Sequence, residues 1–234
     1  MKRWTLGLAA VLTLGISLPG SSQSAPNPQL SQVLSQMDAA AAKFRSAQAN
    51  FQWDQFERVV SSTDTQTGVI YFERTGATTR MAADLKTYDG QPSKKYIVYS
   101  DGLLKFYQPE IHQMTLIHAA GKQAQYESYL TLGFGGSGSD LKKNWDITFQ
   151  GMETIDGVQT AKLDLVSKSA AVRQNFSHVT IWVDPQRAIS LKQILFEPSG
   201  DSRTAYYRNI QYNKKIPASV FRIKTEGKTQ TVQK

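Results

Sequence analysis

The chain reads as a mainly β (α+β) protein, about eleven short antiparallel strands in a strongly curved sheet or barrel, with an N-terminal helix and a helical insert. Three observations point there. Apolar and polar residues alternate in short runs, the two-residue period of half-buried strands. Turn pairs such as Asp89-Gly90, Asp101-Gly102 and Asp156-Gly157 punctuate the runs, and these supply the positive φ angles of tight hairpins. Helical spacing is sustained only once, near the start, so no βα alternation suggests a doubly wound sheet.

The first 24 residues read as an export signal rather than part of the fold. Lys2 and Arg3 give a basic start, Trp4–Leu18 is apolar, and Ser22-Gln23-Ser24 places small residues where a signal peptidase reads, predicting cleavage before Ala25. The segment is too short and wrongly flanked for a spanning helix. Asn27-Pro28 then caps and opens a helix, along which Leu30, Val33, Leu34, Met37, Ala41 and Phe44 recur on one face. Residues 25–224 form one domain, and 225–234 a loose tail.

Asn50–Val60 is the first strand, with Phe51 and Trp53 on one face; Ser61–Thr67 reads as a polar loop. In Gly68–Arg74, Ile70, Phe72 and Arg74 share a face. Glu73 belongs in water, so Arg74 turns inward. Thr78–Leu85 returns with Met81, Ala83 and Leu85 aligned. Lys95–His118 gives three strands: Leu104 and Phe106 share a face, Asp101-Gly102 and Gln108-Pro109-Glu110 make the turns, and Met114 and Leu116 share a face of the last strand. Lys122–Leu132 is weakly helical, Gly133–Gly138 reads as a flexible glycine loop, and Ser139–Lys143 as one helical turn. Strands resume at Trp145–Met152, Val158–Val166, Phe176–Val183, Ile189–Phe196 and Arg203–Tyr212, with a polar link over Ser167–Asn175 and a helical turn over Pro217–Phe221.

The net charge is +8, of which Lys2 and Arg3 supply two. The cations are scattered, which argues against nucleic acid. With no cysteine there are no disulfides or thiolate metal sites. His112, His118 and His178 are too few and too separated for a metal centre. The run Gly133-Phe134-Gly135-Gly136-Ser137-Gly138 fits a dinucleotide fingerprint only formally, without the strand–turn–helix that gives the motif meaning. No cofactor and no catalytic residue is expected, and an esterase is the weakest alternative.

Three motifs carry a resemblance to a known family. The first is Gly68-Val69-Ile70-Tyr71-Phe72-Glu73-Arg74-Thr75-Gly76 with Thr78-Thr79-Arg80-Met81 returning. The second is Ser100-Asp101-Gly102 followed by Tyr107-Gln108-Pro109, and the third is Ile216-Pro217 leading to Phe221. In order and spacing they resemble the outer-membrane lipoprotein carrier (LolA) family, with Thr75, Met81 and the Gly133–Gly138 run as departures.

The resemblance implies an incomplete barrel closed by a helical lid. It implies a monomeric periplasmic carrier that takes acylated lipoproteins from an inner-membrane lipoprotein-releasing ABC transporter to an outer-membrane receptor or membrane acceptor. It makes Arg74 a lid latch, bonded to backbone carbonyls of the Lys122–Leu141 insert. The expected cavity lining is Phe51, Trp53, Ile70, Phe72, Met81 and Leu104, with Phe106, Met114, Leu116, Leu130, Phe149 and Leu163. From alternation alone, a packed core is the stronger reading of the same residues, and Arg74 reads equally as a solvated edge cation paired with Glu73 or Asp84. The runner-up role is a sensing or regulatory module using the same half-barrel on lipid or a protein partner; a glycolipid or sterol-like lipid binder is a third.

Overall fold

A computed structural model describes residues 27–76, 78–118 and 132–233. The signal segment, the Lys122–Leu132 helix expectation up to residue 131, and Leu130 lie outside those residues. Twelve strands form one open sheet in the order β12-β6-β5-β4-β3-β2-β1-β11-β10-β9-β8-β7. Eleven of them pair antiparallel with sequence neighbours or across the β1–β11 junction, as hairpin-joined alternating runs require.

Helix α1 (Pro28–Ala41) begins where Asn27 caps it, its side chain accepting from the backbone N–H groups of Gln29 and Leu30. Val33, Leu34 and Met37 are buried. Strands β1 (Ser46–Glu57), β2 (Ser62–Thr75), β3 (Thr78–Tyr88), β4 (Gln91–Ser100), β5 (Leu103–Gln108) and β6 (Gln113–His118) form one meander. Asp89-Gly90 and Asp101-Gly102 both hold positive φ, as two-residue hairpins of this kind need. Helix α2 (Gly138–Asn144) leads into β7 (Trp145–Ile155) and β8 (Val158–Ser167). The one-turn helix α3 (Ala170–Arg173) precedes β9 (His178–Asp184), β10 (Ile189–Phe196) and β11 (Ser202–Tyr212).

Several expectations are corrected. Residues 62–67 are strand, not loop: Ser62–Thr67 pair with Gln52–Glu57, and the turn shrinks to Arg58–Ser61. A run of threonines suits a pleated surface, and its side chains bond across strands, Thr65 to Asp54 and Thr67 to Thr87. The polar link contains α3. The tail is not loose, because β12 (Gln230–Gln233) pairs parallel with β6 and caps its edge. The turn expected at Gln108-Pro109-Glu110 extends further, as a 3-10 turn at Pro109–Ile111 followed by left-handed His112.

Gly133–Gly138 is a largely buried strut rather than a flexible loop. Leu132 and Phe134 are buried, and Phe134 bridges Ile189 of β10. The Ser190 N–H donates to the Gly133 carbonyl at 2.6 Å, and the Gly135 N–H donates to the Ala188 carbonyl at 2.8 Å. Glycine is required at two positions. Gly133 (φ +77°) lies against Ser190, and Gly135 (φ +75°) against the Phe44 ring, where an added Cβ would come within 2.0 and 2.3 Å of its neighbour.

Candidate apolar chamber and its latch

Strand register decides which apolar residues meet. Ile70 opposes Ala83, which opposes Ile97, which opposes Phe106; Phe72 opposes Met81, then Tyr99, then Leu104. These rows line the concave face. Ile70, Phe72, Met81, Ala83 and Tyr99 form one buried cluster with Phe51, Ala47, Ala49, Ala205 and Tyr207, against which Trp53, Ile97 and Leu104 pack. The alanines matter because small side chains leave depth in a curved wall. Into that depth the strut sends Phe134, 1% exposed. Its ring stacks on Phe72 at 4.0 Å and meets Tyr207 edge-on at 4.8 Å. A hollow of about 200 Å³ remains, walled by Trp53, Ile70, Phe72, Met81, Ile97, Leu104, Phe134 and Tyr207 among others.

The structure thus brings five of the expected lining residues to the hollow: Trp53, Ile70, Phe72, Met81 and Leu104. Phe51 is buried in the same cluster, its ring centre 4.2 Å from that of Trp53. Phe106 shares their sheet face but is half-buried and lies outside that cluster and the hollow wall. Met114 and Leu116 are displaced to the convex face: they oppose Tyr107 and Lys105, which point away from Leu104 and Phe106. Phe149 and Leu163 oppose one another, but in a separate cluster beneath α1.

Arg74 turns inward with Ile70 and Phe72. One guanidinium nitrogen donates to the Ala41 carbonyl at the end of α1 (2.7 Å) and another to the Gly135 carbonyl of the strut (2.5 Å). Its charge lies 5.4 Å from the centre of the Phe44 ring. Burial pushes the guanidinium below its usual value, while Asp140 and Tyr212 oppose that shift. The guanidinium keeps its charge in proteins, so these carbonyl bonds offset its burial. Glu73 does not take the role of partner; it pairs with Arg80 on the other face.

Sequence reasoning missed the plug and its polar seat. Gln193 is buried on the concave face between Leu191 and Leu195; its Nε2 donates to the Leu132 carbonyl at 2.6 Å, and its Oε1 accepts from the Tyr207 hydroxyl at 3.3 Å. Ser190 Oγ beside it has no hydrogen-bond partner among the described residues. A lone glutamine at an inward strand position, and a phenylalanine flanked by glycines that permit close approach, were the available signals. Among the described residues no three His, Cys, Asp or Glu side chains converge as a metal site.

A family model described as outer membrane lipoprotein carrier protein LolA matches residues 42–224. No curated protein sequence matches the chain. Among solved structures, an uncharacterized conserved protein from Thermus thermophilus is 11% identical, with TM-score 0.54 over 88% of this chain and 99% of that one. MucB is 15% identical, with TM-score 0.52 over 85% of this chain and 64% of MucB. A LolA superfamily protein from Nitrosomonas europaea is 12% identical, with TM-score 0.41 over 83% of this chain and 97% of that one. At these identities the likeness to the Thermus protein and to MucB is one of fold.

Proposed function

The chain belongs to the LolA family of outer membrane lipoprotein carriers, and from that premise we propose that it is a periplasmic, monomeric, non-enzymatic carrier. Its cargo would be the acyl chains of lipoproteins, taken from an inner-membrane ABC transporter to an outer-membrane receptor or acceptor membrane. The observation that carries this reading is the plugged hollow: an apolar wall, an aromatic plug and an arginine clamping the plug's strut to α1 through backbone carbonyls.

Magnitudes define the task. Each buried methylene gains about 0.8 kcal/mol, so a chain of roughly 15 methylenes gains on the order of 12 kcal/mol on leaving water. Ligand pockets run to about 300–1,000 Å³, whereas the present hollow is about 200 Å³. Loading therefore requires Phe134 to withdraw, breaking the strut's bonds to Ser190, Ala188, Gln193 and Arg74. Those broken bonds weaken net lipid affinity and favour release, since closing restores them.

Arg74→Leu tests the reading. The variant should load acylated cargo from a donor complex but hand it to acceptor membranes poorly, because the closed state no longer competes with bound lipid. Normal transfer would remove Arg74 from the mechanism. Native mass spectrometry of the exported protein distinguishes the classes of role: an acylated peptide supports the carrier, a free lipid points to a lipid binder, and a bound protein without lipid points to a sensing module.

A further inference from the structure

The convex face carries a second hollow that the carrier reading does not use. It has a volume of about 240 Å³ and lies between the sheet and the segment Ile216–Ile223. Its floor is Ala82, a residue too small to fill the space among larger neighbours. Its roof is Val220 and Ile223, from the 3-10 turn at Ala218–Phe221 and the residues after it.

Strand pairing sets the chemistry of the wall. Asp84 lies directly opposite Tyr96, which places their Cβ atoms about 4.5–5.5 Å apart. Val69 opposes Asp84, so Tyr71 stands diagonally across from the carboxylate, about 7–8 Å away. Tyr107 stacks behind Tyr96 with ring centres 6.2 Å apart. Two phenol rings thus flank one half-buried carboxylate in a recess.

That carboxylate is unspent. Its side chain makes no hydrogen bond or ion pair with any described residue. Its counterparts are satisfied: Asp64 accepts from the Tyr88 hydroxyl, Asp54 from Gln52 and Thr65, and Asp184 from Arg187. The field of Asp84 is felt by both flanking tyrosines. Burial first, and then the Asp84 charge, pushes the Tyr71 hydroxyl up, and the same two causes lead for Tyr96. Asp84 and Arg222 thus place one negative and one positive charge on a recess otherwise walled by phenol rings and aliphatic groups.

We propose that this hollow is a binding site for an alkylammonium group. The carboxylate supplies the countercharge, and the tyrosine rings supply apolar and cation–π contact. A hard metal ion is a poor match, because calcium takes six to eight oxygens and this wall is mostly aromatic and aliphatic. Arg222 at the rim favours ligands that carry an anionic group beyond the ammonium, as phosphoethanolamine does. Such a group occurs both on zwitterionic lipid headgroups and as a free solute.

Titration of the full chain with ethanolamine, phosphoethanolamine and choline, followed by amide NMR at Ala82 and Val98, tests the site. Saturable shifts with at least one of the three are expected, and none with the neutral isostere propanol. Asp84→Asn should weaken binding at least tenfold while leaving the melting temperature unchanged, and Tyr96→Leu should weaken it without removing the charge. Stronger binding to phosphatidylethanolamine vesicles than to phosphatidylglycerol vesicles would assign the ligand to a headgroup; binding of the soluble amines alone would assign it to a free amine. No binding by any ammonium probe, or equal binding by the folded Asp84→Asn variant, overturns the proposal. Neither result bears on acyl-chain carriage, which uses the other face of the sheet.

Discussion

Under β7–β10, α1 lays Val33, Leu34 and Met37 against Leu163, Leu165, Val179, Ile181 and Val183, branched aliphatics that are wholly excluded from solvent. Under β1–β5 and β11 the wall is aromatic and alanine-rich, and what fills it is not a helix face but one ring on a glycine strut. The first region is closed by side chains that interlock along a helix. The second is closed by a segment held by two backbone hydrogen bonds to Ala188 and Ser190 and by the side chains of Gln193 and Arg74. Aliphatic interlocking cannot be undone without losing the fold, whereas hydrogen bonds to a strut can be exchanged one segment at a time. One half of the sheet is thus closed by interlocked side chains and the other by a polar-bonded strut.

Phe134→Ala presses hardest on this contrast. Phenylalanine truncation in a core costs about 3–5 kcal/mol, and that loss should appear in denaturant unfolding. Because the hole would open into the apolar hollow, the proposed carriage of acyl chains predicts that long-chain lipid returns most of the lost stability. If lipid returns none of it, the two regions do not differ in kind. Leu163→Ala is the complement: it should cost about 2–5 kcal/mol, with no recovery on adding lipid and no change in cargo loading.

Arg74→Leu removes two hydrogen bonds from a charged group but also relieves the burial of the guanidinium, so its net cost should be smaller, about 1.5–3 kcal/mol. Its signature is local: faster hydrogen exchange at Gly135 and Ser190, with the amides beneath α1 unchanged. Gly135→Ala forces a left-handed residue against the Phe44 ring, a strain of about 1–2 kcal/mol. It should bias the strut outward and raise the rate at which an apolar dye enters.

The smallest effect lies on the outside of the packed half. Glu153 accepts from the Trp182 indole N–H and pairs with Lys162, and these contacts hold its carboxyl below the usual glutamate value. Its contribution is therefore present above the unfolded-state carboxylate pKa and lost as pH falls through the folded one. Glu153→Gln should flatten that part of the acid limb of the melting curve slightly. An unchanged limb would mean the contact contributes nothing.

Much of the chamber was legible beforehand. Alternation put Ile70, Phe72 and Arg74 on one face, and the same face with Met81 and Leu104 now walls the hollow. Met114 and Leu116 were misplaced because alternation relates residues within a strand, while the phase between strands depends on the turn. Pro109–Ile111 forms a 3-10 turn with His112 left-handed, which sets Met114 opposite Tyr107. Phe149 and Leu163 were assigned to the right kind of surface but the wrong chamber, since nothing local says which half of a sheet a helix will cover.

Local chemistry alone determined the hairpins, the cap of α1, the strand faces and the inward turn of Arg74, because each follows from a residue's own φ preference or from the two-residue period. Tertiary structure alone decided that Phe134 would close the hollow, that Gln193 would seat it, and that the final four-residue strand would lie beside β6. Those outcomes join residues up to a hundred or more positions apart, and their energies exist only once the sheet has curved enough to bring them together.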